Sequence, residues 1–103
     1  MSDAQNTGDT QSAAGKTTTR IRVMNQTTDM VLFQVMADDV EAGSCRAYAQ
    51  SACMFVVEYS RSCVVICLDQ GGKQLASLSD FPPDPTVELI RADGGYKLQI
   101  RWG

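Results

Sequence analysis

Apolar and polar residues alternate with a period of two along most of this chain, the pattern of strands that bury one face and wet the other. Thr17–Met24 sets Ile21 and Val23 against Arg20 and Arg22, and Met30–Met36 sets Val31, Phe33 and Val35 against Leu32, Gln34 and Met36. A weak run over Cys45–Ala49 is followed by Cys53–Tyr59, Cys63–Leu68, Leu75–Ser79, Val87–Ala92 and Tyr96–Trp102. Turn-forming residues separate the runs: Asn25–Asp29, an acidic loop over Ala37–Ser44, Ser60-Arg61, Gln70–Lys73, the stiff Phe81–Pro85, and Asp93-Gly94-Gly95. Nothing repeats at helical spacing. Seven or eight short strands at this spacing predict an all-β fold, a small antiparallel β-sandwich. The resemblance is to immunoglobulin-like architecture alone, because the Cys–Trp–Cys arrangement of true immunoglobulin domains is missing and the one tryptophan, Trp102, is the penultimate residue.

Residues 1–16 stand apart. They contain no Val, Ile, Leu, Phe, Tyr or Trp, so they offer little apolar area to offset the entropy of ordering. The expected organisation is a disordered polar arm over 1–16 and a sandwich domain over 17–103. The arm lacks the basic start and apolar stretch of a secretory signal, which makes the cytoplasm the expected location.

Composition narrows the function. Of 103 residues, 9 are basic and 12 acidic, for a net charge of −3. No basic stripe exists to neutralise nucleic-acid phosphates, and no apolar run reaches the roughly 18–20 residues of a membrane-spanning helix. Histidine is absent, which removes the commonest general base and metal ligand. Without it, neither the cysteines nor Ser44 has a neighbouring base to generate a nucleophile, and no two of Asp38, Asp39, Glu41 and Glu58 are marked as facing one cleft. No enzymatic activity and no cofactor are expected. Asp38-Asp39-Val40-Glu41 lacks the spacing of a calcium loop, and no metal site is expected there. Asn25-Gln26-Thr27 matches a glycosylation sequon on what reads as an exposed turn.

Four cysteines, Cys45, Cys53, Cys63 and Cys67, allow three pairings. Cys63 and Cys67 lie four residues apart on one extended run, about 13 Å at about 3.3 Å per residue, too far for a disulfide. Cys45 with Cys53, or Cys53 with Cys67, remain open. Cys63-Val-Val-Ile-Cys67 lacks the turn geometry of a zinc knuckle. Buried reduced thiols are the expected state.

Two strands carry more apolar surface than a half-buried hairpin needs. With Ser60-Arg61 as a tight turn, Tyr59 pairs with Ser62, Val56 with Val65 and Met54 with Cys67. One face then holds Phe55, Val57, Val64, Ile66 and Leu68, and the other holds Met54, Val56, Val65 and Cys67. The second face is covered by the long loops if these are central strands, or the register is off by one, or the face is an interface. It is taken as an interface, since an apolar patch beyond a few hundred Å² on a small monomer marks an interaction site. Tyr48, Tyr59, Arg61 and Trp102 are the candidate ligand contacts, with Trp102 continuing the inward face of its strand. The leading expectation is a non-enzymatic module that forms a homo-oligomer or docks a protein partner. The alternatives are a carbohydrate-binding, lectin-like sandwich and a small acidic regulator or inhibitor.

Overall fold

The computed structural model of the protein describes residues 15–102. The arm expected over 1–16 lies almost wholly outside the described residues. Among the described residues eight strands form: β1 (Thr17–Asn25), β2 (Val31–Ala37), β3 (Val40–Ala47), β4 (Ala52–Tyr59), β5 (Cys63–Leu68), β6 (Gln74–Ser79), β7 (Thr86–Ala92) and β8 (Gly95–Ile100). They make two four-stranded sheets, ordered β4-β1-β7-β8 and β3-β2-β5-β6, packed face to face as a sandwich. All pairings are antiparallel except β1 with β7, where Val23 stands beside Val87 and Asn25 beside Leu89.

Alternation decides which side chains enter the core. Ile21, Val23, Cys53, Phe55, Val57, Val87, Leu89 and Leu98 come from one sheet. Val31, Phe33, Val35, Ala47, Cys63, Val65 and Cys67 come from the other. Phe33 and Ile21 are among the largest side chains with essentially no exposure. At Gly43, an inward position of β3 opposite Val35, a Cβ atom would lie 3.1 Å from Phe55 Cδ1, so glycine lets the Phe55 ring close over that strand.

The turns explain two departures from the sequence reading. The stretch Ala37–Ser44 is not a loop. Asp38 and Asp39 alone make the turn, both left-handed at φ 51° and 67° as a two-residue type I′ hairpin requires, and β3 begins at Val40. The β4–β5 connection is not a tight hairpin either. β4 pairs with β1 and β5 with β2 and β6, so the chain crosses from one sheet to the other at Ser60–Ser62. The Asp38 carboxylate holds this crossover, accepting the backbone N–H groups of Ser60 (2.9 Å), Arg61 (2.7 Å) and Ser62 (3.1 Å).

Those donors, that of Arg61 first, favour the charged form and hold the Asp38 carboxyl down at about 2 against an ordinary 3.8. A carboxyl depressed on folding stabilises the fold above its unfolded value and loses that contribution as pH falls. Wild type is therefore expected to be more stable than Asp38→Asn at pH 5–7, with the gap closing between about pH 4 and 2. Urea denaturation across that range reads it; a pH-independent gap contradicts the clamp.

Candidate functional site

The doubled apolar character belongs to β2 and β5, the two central strands of the β3-β2-β5-β6 sheet. Their inward residues fill the core. On the outer face Leu32 pairs with Leu68, Gln34 with Ile66, and Met36 with Val64. All six are half-buried, and five of them are apolar. Arg46, Ser44 and Glu41 on β3 flank this stripe on one side, and Ser79, Ser77 and Gln74 on β6 flank it on the other. Gln34 Nε2 donates to Glu41 Oε1 at 2.6 Å, tying the middle of the stripe to its polar border. An apolar centre with a polar rim is the layout of a protein-contact surface.

The four residues assigned to the interface from sequence are not brought together. Val65 and Cys67 point into the core with no exposure, whereas Met54 and Val56 stand on the outer face of the other sheet, 61% and 66% exposed. Because β4 and β5 occupy different sheets, the outward partners of the hairpin register are Val64, Ile66 and Leu68, which the sequence reading had placed in the core. Beside Met54 and Val56 lie Arg22 and Arg20.

The candidate ligand contacts are likewise dispersed. Tyr59 and Arg61 line one cleft of about 240 Å³ with Ser62, Cys63, Ser79, Asp80 and Phe81. Tyr48 follows β3 at the opposite end of the sheet, beside the start of β2, and is 62% exposed. Trp102 does not continue the inward face of β8, as expected from its alternation, but is 78% exposed. The Arg101 N–H still donates to the Thr86 carbonyl at 2.8 Å, and Trp102 lies one residue beyond that last contact with β7.

The cysteines also differ from the expectation of four reduced thiols. Cys45 on β3 and Cys53 on β4 form a disulfide with a Cα separation of 6.2 Å. It bridges the two sheets along one edge of the sandwich rather than closing a hairpin. Cys63 and Cys67 are free and buried, on the single strand β5 that forbids their pairing. Burial, with a smaller contribution from Asp69, pushes the Cys67 thiol up to about 12, and burial also raises Cys63. Both are unreactive core side chains.

Asn25, read as an exposed sequon, is 1% exposed and fully engaged. Its Nδ2 donates to the carbonyls of Asp29 (2.7 Å), Ala47 (3.2 Å) and Tyr48 (3.2 Å). Its Oδ1 accepts from Thr27 N (3.0 Å) and Thr27 Oγ1 (2.7 Å). The amide nitrogen is closed to glycosylation in the folded protein, and its work is to tie the β1–β2 loop to the β3–β4 loop. Near it, Tyr96 donates to Asp29 Oδ2 at 2.5 Å, which raises the Tyr96 phenol, while Arg91 lies 4.8 Å over the Tyr96 ring and pairs with the same carboxylate at 3.2 Å. Tyr96 and Asp29 are partly buried, and the contacts of both Tyr96 and Arg91 to the carboxylate fall on Oδ2. Among the described residues no three His, Cys, Asp or Glu side chains gather to hold a metal, and no helix is long and apolar enough to cross a membrane.

No family model and no curated protein matches the chain. One solved structure is similar in fold, described as the NMR structure of the protein from Eubacterium rectale. It superposes with a TM-score of 0.62 at 21% identity, over 89% of this chain and 96% of that one. The likeness supports the sandwich topology and carries no activity with it.

Proposed function

We propose that this chain is a non-enzymatic interaction module that docks a protein partner on the outer face of the β3-β2-β5-β6 sheet. The observation that carries the reading is the stripe of Leu32, Met36, Val64, Ile66 and Leu68 on two central strands, bordered by polar residues. The equivalent central strand β1 of the opposite sheet presents Thr18, Arg20 and Arg22 outward, the ordinary composition of a wetted face. A carbohydrate site has less support, because Tyr48 and Trp102 share no cleft with Tyr59 and Arg61. The Cys45–Cys53 bridge favours an oxidising setting over the cytoplasm, since thiols are kept reduced in the latter.

Charging the stripe tests the reading. Val64→Glu with Ile66→Lys changes two outward side chains and leaves their inward neighbours Cys63, Val65 and Cys67 untouched. The double variant is expected to melt within a few degrees of wild type and to lose a partner that immobilised wild type retains. Retention of the same partner in the same amount overturns the proposal. So does unfolding, which makes the stripe a second half of the core.

A further inference from the structure

A separate surface lies along β4, an edge strand of the other sheet. Successive residues of a strand send their N–H and C=O groups to opposite sides. On β1, the Arg22 N–H donates to the Pro85 carbonyl just before β7, and the Asn25 N–H donates to the Ser51 carbonyl just before β4. Odd-numbered residues of β1 therefore face β4, and Cys53, Phe55 and Val57 answer Val23, Ile21 and Thr19 in an unbroken register. That leaves the backbone groups of Ala52, Met54, Val56 and Glu58 directed away from the sheet, on the same residues that expose the Met54 and Val56 side chains.

Such a row is a template for another strand unless proline, lysine or a bulge interrupts it. β4 has no proline, lysine or bulge, and its one charged residue, Glu58, lies at the end of the row. Among the described residues the other three edges are interrupted: the β2–β3 register slips between Val35 and Met36, the β5–β6 register slips between Cys67 and Leu68, and β8 carries Lys97. We infer that β4 pairs antiparallel with β4 of a second copy, across a two-fold axis at Phe55. Met54 of each copy faces Val56 of the other, and Ala52 faces Glu58. The strand is self-complementary in this register, as a two-fold interface requires.

Charge favours the same register. The face beside β4 is cationic, with Arg20 next to Val56 and Arg22 next to Met54, while Glu58 has only Thr18 across from it. In the paired form each Glu58 sits beside Ala52 of the other copy, one step from its Met54–Arg22 row, within reach of that guanidinium. The two sheets become one of eight strands. This inference does not depend on the docking stripe, which lies on the opposite face of the sandwich.

Proline scanning with light scattering tests it. Wild type at about 100 μM is expected at twice the mass of one chain, with slow amide exchange at Met54 and Val56. Val56→Pro removes only an outward-facing donor, so it is expected to stay folded, halve the mass and expose the Met54 amide to fast exchange. Val57→Pro removes a donor to β1 and is expected to unfold. If Val56→Pro also unfolds, Met54→Lys with Val56→Lys replaces it, with the same halving expected. A monomeric wild type overturns the inference, as does a folded edge variant of unchanged mass. Loss of the dimer in Val64→Glu/Ile66→Lys with retention in the β4 variants also overturns it, moving self-association to the stripe.

Discussion

Replacing Asn25 with aspartate is expected to destabilise the domain by about 3–5 kcal/mol at pH 7, the range for an uncompensated charge in a buried hydrogen-bonded site. The native amide donates to three carbonyls and accepts from Thr27 twice. A carboxylate has no donor, so the Asp29, Ala47 and Tyr48 carbonyls lose their partner and face a negative charge instead. Protonation restores one donor, so the loss is expected to shrink as pH falls toward 5. Asn25→Ala removes the charge effect but leaves several buried polar groups unpaired, at roughly 1–3 kcal/mol each before relaxation. Denaturant titrations of the three proteins at pH 5 and 7 read these effects. Equal stability of Asn25→Asp and wild type contradicts the network.

Removing the Cys45–Cys53 bridge is expected to cost about 2–3 kcal/mol, the loop-closure value for so short a loop, since the two residues are only 8 positions apart. Cys45→Ala with Cys53→Ala is the suitable pair, because Cys53 is buried and Cys45 faces the same interior. The same bridge fixes the thiol count. Unfolded protein without reductant is expected to show two reactive thiols, Cys63 and Cys67, and four after reduction; native protein is expected to show almost none. Four thiols without reductant contradict the bridge.

The parts legible in the sequence were those where one face is buried and the other wet. β5 over Cys63–Leu68 has the bounds its apolar run implies, and β8 buries Leu98 while exposing Lys97. β3 carried no such signal. Its residues Val40–Ala47 are small, polar or exposed, with Ala47 alone fully buried, and β2 makes them a strand by pairing with them. The β4–β5 crossover was hidden for another reason. A tight hairpin and a crossing between sheets leave identical alternation in each strand, and only the partner decides that Phe55 and Val65 share the core while Ile66 turns outward. Asn25 was misread because polar runs ordinarily mark solvated turns, and its acceptors at Ala47 and Tyr48 lie 22 and 23 residues away.

The parallel seam between β1 and β7 also sets an order of events during folding. The Arg20 N–H is satisfied by Asp84, 64 residues later. The β3-β2-β5-β6 sheet, by contrast, draws all its strands from Val31 to Ser79 and can form while the rest of the chain is still being made. β1 spans that interval with only β4 beside it, its other side open until β7 emerges. Closing so distant a contact is entropically slow. The half-built sheet is therefore the stage at which a nascent chain most needs shielding from its neighbours.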